Sequence, residues 1–383
     1  SNDLTLSVDQ NIPFLGGTLS LQSSLSRLDQ FNYDLQTYNT VPLILNYTQP
    51  IRAYNALKWR KKTAPLQYEN AQRAYLETMQ DITINVTNLF FTVLSAQENY
   101  RQSVADYEDR KHLFEIAKKR LDLGTTTKSE VLQMELSLLN AKMSVNSTSL
   151  TLRTQLFSLF SYLRIVDYGD IELLPPYYMP EIEMNAEQVL DKAWTGSSHS
   201  IEQQLNLLES QRALAEAKAN RGLQVEFRGR LGLSQSANEL PAAYRRLKDY
   251  ETVGLTMTIP IYDWGMGRGK VRMAKTDVEI TKTQIEQANI EFAHDVRTKV
   301  MQFNNQAEQC KTSLRAQDIA AERYDIMKKR FENTAQEEFE SAQHQYISQL
   351  QQFWTDYYGI QKLTLYDFIR KENIGVNFND LVN

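Results

Sequence analysis

The sequence predicts a protein built mainly of long coiled-coil α-helices, with two β-hairpins in each chain. Three observations predict this fold. The chain repeats itself once, apolar and polar residues alternate ahead of one proline in each copy, and the apolar period becomes seven after that proline. The 383 residues include only 14 glycines and 9 prolines, so few positions interrupt a helix or a strand.

An internal repeat divides the chain into two copies of one unit. The segment LNYTQPI, which contains Pro50, resembles LTMTIPI, which contains Pro260, and the two prolines are 210 positions apart. The segments IAKKR and IMKKR begin at Ile116 and Ile326 and have the same offset. A constant offset over about 70 residues indicates a duplicated unit.

The alternation before each proline predicts the two β-hairpins. Four strands are expected, near residues 18–26, 41–48, 223–234 and 253–259. In the last of them an apolar residue occupies every second position from Val253 to Ile259. A soluble sheet with one wet face is the simpler alternative. Against it, four strands form little core, and no amphipathic helix remains to cover their apolar face.

Charged and aromatic residues favour strands that cross a membrane. The polar face carries charges that suit a water-filled barrel lumen, while the apolar face suits lipid. The predicted lumen residues are Glu226, Arg228 and Arg230. Aromatic side chains follow the strands, where a membrane-interface belt is expected. These interface residues are Tyr54, Tyr262 and Trp264.

After each proline, apolar residues recur every seven positions, which predicts coiled-coil packing. In the first copy the stripe consists of Val86, Val93, Tyr100, Tyr107, Phe114 and Leu121, and it returns along Val131, Leu138, Val145, Leu152 and Leu159. In the second copy it consists of Val296, Phe303, Cys310, Gln317, Tyr324 and Phe331, returning along Phe339, Tyr346, Phe353 and Ile360. Residues 51–123 alone would span about 110 Å as a helix. Helices of this length have little core of their own, so we expect them to pack against neighbouring chains.

The glycine-rich stretch Gly265–Lys270 resembles a phosphate-binding loop but fails both spacing tests. A Walker loop needs glycine where Trp264 lies and serine or threonine where Val271 lies. A dinucleotide fingerprint needs glycine where Lys270 lies. Only the strand, the proline and the turn into a helix are common to both repeats. We therefore interpret the glycines as incidental to that turn.

The sequence gives no support for nucleic-acid binding, metal binding or catalysis. The net charge of −5 gives no basic excess for nucleic acid. The four histidines are scattered and Cys310 is the single cysteine, so no metal-ligand set is recognisable. No nucleophile and base stand at a catalytic spacing. We expect no catalytic, cofactor-binding or metal residues, and a protein that is not an enzyme.

These features together resemble the TolC-like outer membrane efflux proteins (outer membrane factors). The resemblance is carried by the twofold repeat, by the junction PIYDWG at Pro260–Gly265, and by the tip sequence RLDLGTTTKSEVL at Arg120–Leu132. It implies a homotrimer whose strands close a 12-stranded barrel in the bacterial outer membrane. It also implies an α-helical tunnel that continues the barrel through the periplasm. In the family, helices precede the first strand, whereas here the chain begins at that strand.

The resemblance also implies a division of the chain. The expected segments are a first β-hairpin (1–50), a first helical hairpin (51–165), an equatorial segment (166–200), a helix returning to the membrane (201–222), a second β-hairpin (223–260), a second helical hairpin (261–369) and a C-terminal equatorial tail (370–383).

The implied function is that of a passive exit duct in a tripartite efflux or type I secretion system. A periplasmic adaptor would dock at the helical tips, and an inner-membrane pump would supply the energy. The expected docking residues are Gly124, Thr125, Thr126, Thr127, Thr334 and Gln336. The substrate stays open among drugs, metals, lipids and proteins, because the pump carries most of the selection.

Acidic residues just after the second tip are expected to form the periplasmic gate. In the family, acidic residues just after this tip ring the closed aperture; the candidates here are Glu337, Glu338 and Glu340, of which Glu338 lies closest to the family's position. The simpler alternative is an ordinary solvated helix N-terminus, where acidic side chains suit the helix dipole. The rival to the whole duct hypothesis is a soluble coiled-coil scaffold with a small hairpin domain. Dependence on detergent would distinguish the two.

Overall fold

The computed structural model describes residues 2–30, 35–167, 169, 171–176, 179–259, 261–328 and 334–378. It separates into two compact units. The first, here called the sheet unit, consists of Ser1–Ala71 and Ser198–Ile290. The second, here called the helical unit, consists of Gln72–Ser197 and Glu291–Asn383.

The sheet unit contains an antiparallel five-stranded sheet. Its strands are β1 (Asn2–Ile12), β2 (Gly17–Gln30), β3 (Leu35–Arg52), β4 (Gln224–Ala237) and β5 (Lys248–Thr258), and they lie side by side in chain order. The predicted strands are all present as β2 to β5, in the two expected hairpins. The structure adds β1, which the sequence analysis did not predict, and β1 pairs with β2 from Asn2 opposite Arg27 to Ile12 opposite Gly17.

The sheet has one apolar and one polar face, as the alternation predicts. The ladder places Val8, Leu21, Leu45 and Leu231 in one row across four strands. Side chains of the apolar face are largely exposed on the single chain, and those of β5 have exposed fractions of 75% at Val253, 56% at Leu255 and 59% at Met257. This apolar face therefore lacks cover from the rest of the described chain.

The long helices join the strands much as expected. They are α1 (Ala56–Asp122), α2 (Lys128–Tyr162), α3 (Ala186–Gly196), α4 (His199–Arg221), a short α5 (Leu240–Ala243), α6 (Met266–Lys328) and α7 (Thr334–Thr364). Two-residue strands β6 (Tyr366–Asp367) and β7 (Glu372–Asn373) pair near the C-terminus. The first helix begins at Ala56 rather than at 51, because β3 continues through Arg52. Within the described residues, no helix has the length and apolarity needed to cross a bilayer.

The heptad stripes form the core of the helical unit. Every described member of the predicted stripes is buried or half-buried. Phe303 of α6 and Phe353 of α7 are fully buried with ring centroids 5.1 Å apart, and Tyr324 and Phe339 stack at 5.7 Å. Cys310 is fully buried, which confirms its predicted packing role. Phe331 lies outside the described residues.

The segment between the two repeats contributes to this core through α3, a helix that the sequence analysis did not predict. Val189 and Ala193 of α3 pack with Phe303 and Tyr357. At Gly196 a Cβ atom would lie 2.0 Å from the carbonyl oxygen of Thr364, so only glycine permits this approach of α3 to α7.

Candidate functional site

The predicted lumen residues lie together on the polar face of β4. Arg230 stands opposite Asn46 of β3 and Thr252 of β5, which extends the polar row across the sheet. Two residues before Arg230 on the same strand, Arg228 donates a hydrogen bond from Nε to the Glu226 carboxylate. Both members of this ion pair are partly exposed, at 55% and 34%, so the pair is accessible to solvent and ions.

The predicted interface aromatics fall into two groups. The rings of Tyr262 and Trp264 meet edge to face at 4.7 Å, and their side chains are 71% and 83% exposed. Tyr54 is half-buried, and burial raises the pKa of its phenol. The structure also places Phe14, 90% exposed, in the turn between β1 and β2. Sequence reasoning missed Phe14 because it did not predict β1.

The glycine-rich junction is the capped start of α6. The Asp263 carboxylate accepts hydrogen bonds from the backbone amides of Gly265 at 3.0 Å and Gly267 at 2.7 Å. Gly265 has φ +82°, and a Cβ on Gly267 would lie 2.6 Å from Asp263 Oδ2. The interpretation of these glycines as incidental was therefore wrong, because the cap requires both of them. In the first repeat Asn55 Oδ1 plays the capping role, accepting from the amide of Lys58 at 2.9 Å.

The first helical tip, between α1 and α2, is a compact, hydrogen-bonded turn. Gly124 has φ +70°, and the amide of Thr125 donates to the Arg120 carbonyl at 2.9 Å, which closes the end of α1. Thr127 and Glu130 form a reciprocal capping box at the start of α2. Hydrogen bonds from the Thr126 hydroxyl and the Thr127 amide lower the pKa of Glu130.

The second tip is described only in part. Residues 329–333 and the side chain of Thr334 lie outside the described residues, so the predicted role of Thr334 has no structural account. Gln336 is half-buried, and its Nε2 donates to Glu340 Oε1 at 2.9 Å.

The predicted gate glutamates differ in their surroundings. Glu337 and Glu338 are exposed and Glu340 is half-buried. Arg323 of α6 forms an ion pair with Glu338 of α7, with exposed fractions of 52% and 49%. Glu337 and Glu340 instead line a cleft of about 770 Å³.

Asp106, Asp109 and Arg110 of α1 line the same cleft, and Arg110 forms an ion pair with Asp106 at 3.0 Å. Sequence reasoning missed Arg323 and both aspartates. A heptad stripe fixes the buried face of each helix, but the axial register between two paired helices decides which flanking side chains meet. Among the described residues, no group of three or more His, Cys, Asp or Glu side chains is arranged to hold a metal ion.

Comparison with known proteins identifies the protein family. The sequence matches the family model described as outer membrane efflux protein over residues 5–163 and 197–361. The chain belongs to the outer membrane efflux protein family. This confirms the resemblance, the predicted class of an outer membrane efflux channel and the predicted location in the bacterial outer membrane. A search of curated protein sequences gives no match.

Solved structures share the fold at low sequence identity. The MtrE outer membrane channel of Neisseria gonorrhoeae in its open state has a TM-score of 0.67 at 12% identity, covering 94% of this chain and 83% of that chain. The Campylobacter jejuni CmeC outer membrane channel has a TM-score of 0.61 at 16% identity, covering 99% and 80%. A membrane protein from Pseudomonas aeruginosa has a TM-score of 0.65 at 12% identity, covering 95% and 84%. The predicted fold class is thereby confirmed.

Proposed function

We propose that three copies of this chain form a passive exit duct, with a 12-stranded outer membrane barrel and a periplasmic helical tunnel. The observation that carries the proposal is a second apolar stripe on α2. Its members share a spacing of seven and large exposed fractions. They are Leu136 (56%), Met143 (62%), Leu150 (68%) and Phe157 (65%).

This open stripe lies on a different side of α2 from the stripe that packs within the chain. Leu152 and Leu159 belong to the packed stripe. Phe157 follows Leu152 by five positions, and at about 100° for each position the two stripes are separated by about 140° around the helix. A helix that is apolar on two sides suits a place between two neighbouring helices. One neighbour comes from the same chain, and the other would come from the next copy.

The sheet supports the same arrangement. The outer edge of β5 has no paired strand in the single chain, within the residues that the structure describes. An unpaired strand edge is not stable in hydrocarbon, because each unsatisfied backbone group costs several kcal/mol. The exposed apolar face formed by Val253, Leu255 and Met257 suits contact with lipid. Pairing of β5 with another copy would satisfy that edge and close a barrel.

The partners follow from the same proposal. The hydrogen-bonded first tip at residues 124–127 would dock a periplasmic adaptor, and an inner-membrane pump would supply the energy, in an efflux or type I secretion system. The chain itself would conduct substrate passively. The rival hypothesis of a soluble scaffold leaves the exposed strand faces unexplained, and family membership speaks against it.

Mass measurement in mild detergent tests the assembly. The unaltered chain should give the mass of three copies. Leu150→Glu combined with Phe157→Glu places charges on the open stripe and should give monomers. Thr151→Glu, an exposed neighbour about 100° from Leu150, is the matched control and should leave the trimer intact. A monomeric unaltered chain, or a trimer that survives the double substitution, contradicts the proposed packing.

A further inference from the structure

The strand β1 carries a second, partial copy of the β5 motif. Residues 6–13 read LSVDQNIP and residues 253–260 read VGLTMTIP. Each has alternating apolar positions and ends in Ile-Pro, at Ile12-Pro13 and at Ile259-Pro260. With the Ile-Pro pairs superposed, Leu6 corresponds to Val253 and Val8 to Leu255. The resemblance lies in both the apolar face and the end of the strand.

The place of β1 in the sheet is also the place that a second β5 would take. Neighbouring strands are antiparallel throughout, in the order β1 to β5, so β1 and β5 run in the same direction. If a neighbouring copy added its β5 in antiparallel pairing to the edge of β2 that β1 occupies, that strand would have the direction that β1 has now.

A closed ring of copies can keep all its strands antiparallel with four strands from each copy but not with five. A ring of four-stranded sheets, β2 to β5, joins β5 of one copy to β2 of the next in the antiparallel sense. A ring that kept β1 would set β5 beside the β1 of the next copy with both strands parallel. Membrane barrels of this kind are built of antiparallel strands. Closure of an antiparallel ring therefore needs the β2 edge that β1 covers.

Strand β1 is attached to β2 with little burial of its side chains, so it can detach from β2. All of its residues from Asn2 to Asn11 are exposed, and Leu4, Leu6 and Val8 have exposed fractions of 72%, 71% and 67%. Among the described strands, β2 is the only one that pairs with β1. A strand with so little side-chain burial is held mainly by backbone hydrogen bonds, which another strand of similar pattern can replace.

The turn after β1 is held separately and would act as the hinge. Gln49 Nε2 donates to the Leu15 carbonyl at 2.7 Å, and Asn55 Nδ2 donates to the Pro13 carbonyl at 3.2 Å. Gly16 has φ +77°, and a Cβ there would lie 2.8 Å from Asn55 Cγ. These contacts involve β3 and the start of α1 and do not require β1 to stay on β2.

We propose that β1 is an internal stand-in for the neighbouring copy's β5: it covers the β2 edge of the unassembled chain and leaves that edge when copies join. The inference rests on the proposed trimer. Its physical advantage is that an exposed strand edge pairs readily with other chains, so a removable cover limits pairing in the wrong register before assembly.

Disulfide trapping tests the exchange. Thr5 lies opposite Ser24 in the β1–β2 ladder, and opposed strand residues lie within the Cα separation that a disulfide spans. Thr5→Cys with Ser24→Cys, in a Cys310→Ala background, should form a disulfide that keeps the oxidised chain monomeric. Reduction should then restore trimer assembly to the level of the background protein. The matched control is Ser20→Cys with Asn46→Cys, which links β2 to β3 and should assemble whether oxidised or reduced.

A second pair detects the new contact directly. The Ile-Pro superposition puts Thr252 of a neighbouring copy where Thr5 lies now, opposite Ser24. Within one chain Ser24 and Thr252 lie on strands three places apart, about 14 Å, which a disulfide does not span. Ser24→Cys with Thr252→Cys should therefore give covalently linked copies, up to three, in the assembled protein.

The outcomes separate the two proposals. Trimers formed by the oxidised Thr5–Ser24 variant at the control level, or no linkage of Ser24 to Thr252 in a protein that does trimerise, overturn the stand-in role of β1 and leave the trimer untouched. Absence of trimers from the background protein and the β2–β3 control contradicts the proposed function itself.

Discussion

The backbone amide of Gly267 lies 2.7 Å from Oδ2 of Asp263 and donates to it, so one carboxylate caps the first turn of α6. The other oxygen of the same carboxylate accepts from Gly265 at 3.0 Å. The stretch that resembles a phosphate loop therefore places its backbone amides on an anion from its own chain. Its glycines serve a helix cap.

A methyl group at Gly267 should disrupt this cap. Its carbon would lie 2.6 Å from Asp263 Oδ2 and 3.0 Å from Arg221 Cγ, whereas nothing lies within 4 Å of the same position on Gly269. Gly267→Ala should lower the urea midpoint of the helical signal measured by circular dichroism in detergent. Gly269→Ala is the matched control and should raise stability by up to about 1 kcal/mol, the usual preference for alanine inside a helix. Equal effects of the two substitutions would show that the cap geometry does not matter.

The same cap should make stability depend on pH. Hydrogen bonds from Gly267 and Gly265 lower the pKa of Asp263 from its ordinary value of 3.8. A carboxyl group whose folded pKa is depressed stabilises the fold above its unfolded pKa, and the stabilisation is lost as the pH falls through the folded pKa. The urea midpoint should therefore fall between about pH 5 and pH 3 by more in the unaltered protein than in Asp263→Asn, which keeps a capping oxygen. Parallel pH profiles for the two proteins would argue against a stabilising charge at this position.

The sequence predicts the features that lie within a single helix or a single strand. A period of seven fixes the buried side of a helix, so Phe303, Cys310 and Phe353 were placed correctly in the core. A period of two fixes the faces of a strand, which placed Arg228 and Arg230 on one face. Neither pattern contains the axial register between paired helices, and so the contact of Arg323 with Glu338 could not be predicted.

The missed strand has a different cause. The alternation of Leu4, Leu6 and Val8 was present in the sequence, but the repeat pairs only the strands that occur in both copies. The second repeat has helix α4 where the first has β1. The second repeat therefore contains no strand that corresponds to β1. Only its pairing with β2 in the folded chain identifies it.

Substitution on the apolar face of β5 tests the membrane contact. Val253 lies at the middle of β5 and is 75% exposed in the single chain, so Val253→Arg should destabilise the folded protein in lipid by about 2–4 kcal/mol. Met257→Arg, near the end of the strand, should cost about 1 kcal/mol or less. The neighbouring Thr256, opposite Glu226 on the polar face, provides the control, and Thr256→Arg should be tolerated. The measurement is the urea dependence of folding in lipid vesicles. An unaltered free energy of unfolding for Val253→Arg would place this face away from lipid.

Crosslinking tests the docking role of the tips. The capping box of Thr127 and Glu130 and the hydrogen bond from Thr125 to Arg120 stabilise the turn that carries Thr126. Thr126→Cys and Gln336→Cys should each form disulfides with cysteines on an adaptor's helical hairpin. Glu239→Cys, in the connection between β4 and β5, should form none. The native Cys310 thiol is fully buried, and burial raises its pKa to about 11, so it should stay unreactive. Crosslinks at Glu239 without crosslinks at the tips would reverse the proposed orientation.

The gate prediction concerns the balance of charge at the start of α7. Because Arg323 pairs with Glu338, the positive charge of the arginine offsets one glutamate. Glu337 and Glu340 instead line a cleft that also holds Asp109 and the ion pair of Arg110 with Asp106. Three copies would then present a ring whose negative charge comes chiefly from Glu337 and Glu340. Such a ring favours cations over anions.

Single-channel recordings with salt gradients measure this selectivity. Glu337→Gln combined with Glu340→Gln should lower cation selectivity and weaken block by multivalent cations. Arg323→Gln should do the opposite, because it leaves the charge of Glu338 without its partner. The matched control is Arg212→Gln, which breaks a similarly exposed pair with Glu209 on α4 and should change neither property. If neither the double glutamate variant nor Arg323→Gln changes selectivity or block, the glutamates are an ordinary solvated helix N-terminus whose charges suit the helix dipole. The gate then lies elsewhere.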